Sequence, residues 1–119
     1  ADKKIEDQEA KRLFEELEQI MSTEDLYKDP NLKLPDLAKQ INIQTHVLSQ
    51  FINDNLNKSF SLFINEYRIH EAKILLSKQD KFTIESIGYE CGFNSKSTFY
   101  STFKKLTGMT PTQYKSSRV

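Results

Sequence analysis

The chain has 119 residues, 17 basic and 17 acidic side chains, one cysteine, three glycines and three prolines. That length holds one domain, or two very small ones sharing a core. The lone cysteine excludes an internal disulfide and fits a reducing compartment, and no apolar run approaches the ~18 residues of a membrane span.

The zero net charge hides a split. Residues 1–30 hold ten acidic and five basic side chains, a balance of −5, and the rest of the chain balances it at +5. From Gly92 onward there are five basic residues and no acidic one. A basic C-terminal part behind an acidic leader fits a nucleic-acid face. On charge alone, a solvated lysine-rich surface explains it equally well. Glycine and proline are few and Phe, Leu and Ile lead the apolar set, so the chain reads as all-α. No secretory signal is visible. The missing initiator Met and a start inside a charged helical pattern read as an excised fragment.

Residues 5–22 form an amphipathic helix with Leu13, Phe14, Leu17, Ile20 and Met21 on one stripe. Packing on the core is the expected role. The alternative is the tail of a connector from an N-terminal sensor region. Residues 22–33 read as a loop with one helical turn, closed by Asp29-Pro30-Asn31. Residues 34–41 form the next helix, with Leu34 at the N-cap, Pro35 at N1, and Leu37, Ala38 and Ile41 inward. Leu34 has no side-chain acceptor, so Asp36 is expected to serve the first-turn N–H groups. Asn42 makes a turn. Residues 45–56 form a longer helix with Leu48, Phe51, Ile52 and Leu56 inward. Residues 61–76 form one long helix that buries Phe63, Ile64, Tyr67, Ala72, Leu75 and Leu76, and residues 77–81 are a loop.

Residues 84–114 organise the chain. Ile84, Ile87 and Cys91 give a short helix one apolar stripe, with Thr83 as N-cap and Gly92 as the stop. A second helix starts near Ser95. Phe99, Phe103 and Leu106 lie on one side, and Lys96, Ser97, Tyr100, Ser101, Lys104 and Lys105 on the other. It ends at Thr107-Gly108, and Thr110-Pro111 opens a third helix. Two short helices, a tight turn, and a polar, basic outer face on the second are the layout of a DNA-reading helix-turn-helix.

An internal repeat supports this. Leu37, Ala38, Ile41, Asn42 and Ile43 match Ile87, Gly88, Cys91, Gly92 and Phe93 at an offset of 50. Leu48, Ile52, Asn57, Ser59 and Phe63 match Phe99, Phe103, Gly108, Thr110 and Tyr114 at an offset of 51, so the second copy has one extra residue in its turn. Ala38 and Gly88 share a small side chain where the two helices of each motif cross. Alanine at position 88 is expected to be tolerated or stabilising, and leucine to overpack.

Residues 84–114 resemble the AraC-type family of bacterial transcription regulators. The match lies in Ile84, Ile87, Gly92-Phe93, Ser97, Phe99, Phe103-Lys104-Lys105, Gly108 and Thr110-Pro111…Tyr114. The resemblance covers residues 34–115. Gly88 departs from it, because the family usually has alanine there. It implies an all-α, homeodomain-like fold with two helix-turn-helix subdomains joined by a long linker helix, behind the N-terminal amphipathic helix. The division is 1–33 connector helix and loop, 34–60 first helix-turn-helix, 61–77 linker helix and 78–119 second helix-turn-helix.

By residue-by-residue match, His46, Ser49 and Gln50, and in the second copy Lys96, Ser97, Tyr100 and Ser101, fall where the family contacts bases. Thr98 is expected to face the backbone or lie partly buried. Asn53, Lys58, Ser59, Lys104, Lys105 and Thr110 are read as phosphate partners. Arg68 matches a family position and is expected to brace the two subdomains. Cys91 belongs to the core. His46, His70 and Cys91 lack metal-ligand spacing, so no metal and no cofactor is assigned.

The reading is therefore the sequence-specific DNA-binding domain of a bacterial regulator, with two recognition helices in successive major-groove segments. The alternative is a helical protein-interaction domain that does not bind DNA. No nucleophile–base pair, glycine-rich phosphate loop or carboxylate dyad supports an enzyme. Double-stranded DNA is the expected partner. By family analogy RNA polymerase and an N-terminal sensor or dimerisation region join it, in the cytoplasm, in a regulator that is either soluble or membrane-anchored.

Overall fold

The computed structural model describes residues 6–78 and 82–117. Among these residues there are seven α-helices and no strand: α1 (Asp7–Glu24), α2 (Leu34–Gln40), α3 (Thr45–Gln50), α4 (Phe60–Ser77), α5 (Ile84–Glu90), α6 (Lys96–Thr107) and α7 (Pro111–Ser117). The expected all-helical architecture, two helix-turn-helix units joined by a long helix, is the one observed. The chain divides into two compact units, with the boundary between Phe63 and Ile64 inside α4.

In the first unit, α1 buries Leu13, Leu17 and Met21 completely. These residues are four apart, so they stack on one helix face. Phe14, expected on that stripe, is 39% exposed. A single-residue step carries it to the side of so narrow a stripe. On the solvent face Arg12 pairs with Glu9 and Glu16, and its hydrogen bond holds the Glu9 carboxyl below its ordinary pKa. The described helix runs Asp7–Glu24, and Ile5, where it was expected to start, lies outside the described residues. Asp25, at φ 52, ends it, and one 3-10 turn (Leu26–Lys28) buries Tyr27, which no periodic pattern singled out. The Asn31 N–H donates to Asp29 Oδ1 (2.9 Å), closing the Asp-Pro-Asn turn.

Three expectations in this unit are corrected. The N-cap of α2 is Lys33 and not Leu34, so Leu34 and Pro35 stand at N1 and N2. The Lys33 carbonyl accepts from both Asp36 and Leu37, and Asp36 Oδ2 accepts from the Lys33 N–H at 3.0 Å. Asp36 does serve the helix start, one residue earlier than expected. The helix over 45–56 is not uniform: α3 stops at Gln50 and Phe51–Asn55 is a π turn, with the Leu56 N–H on the Phe51 carbonyl (3.2 Å). The wider turn seats two consecutive large residues, Phe51 and Ile52, both buried, and leaves Leu56 only half-buried.

In the second unit, Ile69, Ala72 and Leu76 of α4 meet Ile87, Cys91, Phe93, Phe99, Phe103 and Tyr114 in one core. Ile69 was not on the expected buried face of α4, whereas Tyr67 and Leu75, which were, are half-buried. Successive aromatic rings pack edge to face or tilted, with centroids 5.2 Å apart for Phe93–Phe99, 5.9 Å for Phe99–Phe103 and 5.5 Å for Phe103–Tyr114. The Arg68 guanidinium lies over the Phe93 ring, 5.7 Å from its centroid, so this arginine is anchored and not merely solvated. Loop residues 79–81 lie outside the described residues.

Gly88 of α5 faces Phe99 of α6. A Cβ built on Gly88 would lie 2.5 Å from Cδ2 and 2.7 Å from Cγ of the Phe99 ring. Phe99 is fully buried, so the ring has no open space to move into. The expectation that alanine is tolerated at position 88 is therefore corrected.

Candidate nucleic-acid interface

The two units build their turns from the same hydrogen bonds. After α2, the Ile43 N–H donates to the Ala38 carbonyl (3.0 Å) and the Asn42 N–H to the Lys39 carbonyl (3.2 Å). After α5, Phe93 donates to Gly88 (3.0 Å) and Gly92 to Tyr89 (3.1 Å). Both are Schellman closures, and both put a residue with positive φ at the turn: Asn42 at 59° and Gly92 at 112°. The extra residue of the second copy follows. Gln44 is the N-cap of α3 directly after Ile43, whereas Asn94 intervenes before the N-cap Ser95 of α6.

The far ends of the two reading helices agree as well. Asn57 and Gly108 both have positive φ, at 57° and 84°. Ser59 and Thr110 cap the helices that follow: the Leu62 N–H donates to Ser59 Oγ (3.0 Å) and the Gln113 N–H to Thr110 Oγ1 (3.1 Å). Gln113 Oε1 accepts from the Thr110 N–H in return, a complete capping box.

These anchors fix what each reading helix shows to solvent. On α3, His46 is exposed and Ser49 and Gln50 are half-buried; Asn53, on the π turn, is exposed. Asn53 Nδ2 approaches Ser49 Oγ at 3.4 Å, which keeps its amide on the face of Ser49. On α6, Lys96, Ser97 and Ser101 are exposed and Tyr100 is half-buried. Lys96 Nζ lies 5.4 Å from the centroid of the Tyr100 ring, and the Tyr100 hydroxyl is 3.5 Å from Thr112 Oγ1. The Ser101 hydroxyl donates to the Thr98 carbonyl (3.2 Å), so its lone pairs face outward as acceptors. Thr98, expected to face the backbone or lie partly buried, is exposed, so burial is excluded. It also serves the helix start: its N–H donates to Ser95 Oγ (3.1 Å), whose hydroxyl donates to Thr98 Oγ1 (3.0 Å).

Lys104 and Lys105 are exposed in the last turn of α6. Ser59 is exposed, and Lys58 and Thr110 are half-buried. Among the described residues no polar or charged side chain is buried. Each unit thus gathers its own candidate residues on one helix and the ends beside it. Carrying the repeat into the polar positions also places Thr45 where the second copy has Lys96, and Asp54 where it has Lys105. The repeat is carried by apolar positions and caps, so its pattern does not mark these two polar positions.

Among the described residues, no helix is long and apolar enough to cross a membrane. The family model described as "Helix-turn-helix domain" matches residues 37–117. An uncharacterised HTH-type transcriptional regulator of Staphylococcus aureus (strain MSSA476) is 32% identical over 104 residues, covering 87% of this chain and 14% of that protein. The chain thus spans about a seventh of the length of the curated relatives it matches first. The C-terminal domain of the two-component response regulator yesN from Fusobacterium nucleatum superposes with a TM-score of 0.74 at 26% identity, covering 87% of this chain and 98% of that one. A transcriptional regulator with an AraC-type DNA-binding domain from Chromobacterium violaceum superposes with a TM-score of 0.68 at 28% identity, covering 74% and 78%. With the repeated turns, the matching caps of the helices that follow α3 and α6, and these likenesses together, the chain belongs to the AraC-type helix-turn-helix family and is a DNA-binding domain of a transcription regulator.

Proposed function

We propose that α3 and α6 enter successive major-groove segments of one duplex and read two unlike half-sites. The observation that carries this is the duplicated turn: the same closure and the same caps present two helices whose exposed faces differ in chemistry. His46, Ser49 and Gln50 read bases in the first unit, and Lys96, Ser97, Tyr100 and Ser101 in the second. The Gln50 amide suits the adenine edge and the Lys96 ammonium the guanine edge. Asn53, Lys58, Ser59, Lys104, Lys105 and Thr110 position the phosphates. In the whole regulator, an N-terminal sensor or dimerisation region and RNA polymerase are the partners that family analogy adds, with the cytoplasm as the site of action.

The test is selection of duplexes from a random library by the 119-residue chain, followed by footprinting of the selected sequence. Two unlike protected segments on one face of the duplex are expected. A single short protected segment would reduce the reading to one engaged helix. No enrichment over random DNA would favour the protein-interaction alternative.

A further inference from the structure

The repeat places unlike side chains at two matching positions of the reading helices, of opposite charge at one of them. At an offset of 51, Asn53 and Asp54 correspond to Lys104 and Lys105. The register is pinned on both sides. Ile52 and Phe103 are buried just before, and Asn57 and Gly108 adopt positive φ just after. Residues 45–57 contain no lysine or arginine and one acid, Asp54, whereas residues 96–108 contain three lysines and no acid. The first reading helix is therefore neutral to acidic where the second is basic.

Attachment to DNA of any sequence rests on neutralising phosphates, whereas base-edge hydrogen bonds form only on a matched sequence. A carboxylate at the place of Lys105 opposes the first kind of contact and leaves the second intact. We propose that Asp54 makes docking of the first helix conditional on its half-site, while the second helix supplies attachment to any DNA. On unmatched DNA the chain then holds chiefly by the second unit, because Lys58, just past the first reading helix, is the single ammonium among that unit's phosphate partners. On its full site the hydrogen bonds of His46, Ser49 and Gln50 outweigh the repulsion and both units dock. Asp54 acts here as a positioning residue, not a reader. This rests on the DNA-reading function proposed above.

The experiment uses the 119-residue chain, a selected duplex, and the same duplex with the first half-site scrambled. The wild type is expected to protect both halves of the intact duplex and only the second half of the scrambled one. Asp54→Lys is expected to protect both halves of each duplex. It should also steepen the salt dependence on the scrambled one, by at least the ~0.9 in log K against log salt that one added phosphate contact contributes. Asp54→Asn, which keeps the size of the side chain, should fall between them. Matching thermal unfolding curves for the three proteins exclude a folding defect as the cause. Wild-type protection of the scrambled half, or a footprint and slope unmoved by Asp54→Lys, overturns the role of Asp54 while DNA reading stands. Absence of salt-dependent binding to every duplex overturns DNA reading itself, and this inference with it.

Discussion

Gly88 and Phe99 share one space: a methyl group on the first would sit 2.5 Å from the ring of the second. The ring is held by Phe93, Tyr100 and Phe103, whose centroids lie 5.2 to 5.9 Å away. In the first unit the corresponding residues are Ala38 and Leu48, both buried. One copy pairs alanine with leucine and the other glycine with phenylalanine, so the small partner shrinks as the large one grows. Gly88→Ala gains about 1 kcal/mol in helix propensity. It meets an overpacking cost of about 1–3 kcal/mol, which is expected to exceed the gain. Thermal or urea unfolding should show the variant less stable than wild type. Adding Phe99→Leu should recover part of the loss, with a coupling of about 0.5–3 kcal/mol between the two sites. A Gly88→Ala protein more stable than wild type would show that the ring yields freely.

The positive φ shared by Asn57 and Gly108 gives a second stability test. Gly108→Ala should cost about 1–2 kcal/mol, the strain of a left-handed residue that carries a Cβ. Beyond its chain neighbours no atom lies within 4 Å of that added Cβ, so the cost is local backbone strain and not a tertiary clash. Asn57→Gly should relieve strain at its own site and leave stability close to wild type. Equal unfolding midpoints for Gly108→Ala and wild type would contradict the first expectation.

Lys104 and Lys105 are exposed at the end of α6, where an ammonium also complements the helix dipole. If Lys104 neutralises a phosphate, Lys104→Ala should reduce the slope of log K against log salt by about 0.9. Affinity should fall by a similar factor on matched and scrambled duplexes. Titrations by fluorescence anisotropy at four or five salt concentrations measure both. An unchanged slope would remove Lys104 from the phosphate partners.

Gln50 and Lys96 are expected to behave differently. Replacing either with alanine should cost about 1–3 kcal/mol on the matched site and relax preference at one base pair. The Lys96 ammonium lies over the Tyr100 ring, so Tyr100→Ala should weaken the preference set by Lys96 together with any contact of Tyr100 itself, whereas Tyr100→Phe, which keeps the ring, should leave the Lys96 preference in place. Competition against single-base variants of the site reads out each case. A residue whose loss weakens scrambled DNA as much as the matched site is positioning the protein, not reading sequence.

Much of this was legible in the sequence because short helices advertise their ends. Thr83, Ser95, Gly92, Gly108 and Thr110-Pro111 each have one common structural use, and the structure puts each to it. The spacing of Leu48 and Ile52 against Phe99 and Phe103 carried the repeat, since buried positions tolerate little drift. What the pattern did not disclose depends on tertiary space. The π turn at Phe51–Asn55 leaves no signature in spacing, because no residue is inserted relative to the second copy. The N-cap at Lys33 depends on backbone angles that Leu34-Pro35 only constrains. Tyr27 is buried from a 3-10 turn too short to have a period. For the site, position on a helix was readable and chemistry was not: that Ser101 turns its hydroxyl back to Thr98 is a fact of rotamers.

The last prediction separates one engaged helix from two. Each chain carries two reading helices with unlike faces, so its site should be a pair of unlike half-sites and not a palindrome. Within one rigid duplex, a B-DNA turn takes about 10–10.5 base pairs. Inserting about five base pairs between the half-sites rotates one of them to the opposite face of the duplex. If α3 and α6 both dock, only one can follow its half-site after the insertion, unless the DNA twists or bends at a cost of order 1–6 kcal/mol. Affinity should then fall sharply, and the footprint should shrink to one segment. Inserting about ten base pairs restores the face but lengthens the span. The boundary between the units falls inside the continuous helix α4, which cannot stretch. Affinity should therefore stay low on that duplex too, which distinguishes a stiff connection from a flexible one. The retained segment identifies the dominant helix, and the three lysines of α6 predict that it is the second. Unchanged affinity on the five-base-pair insertion would mean that a single helix accounts for all of the binding.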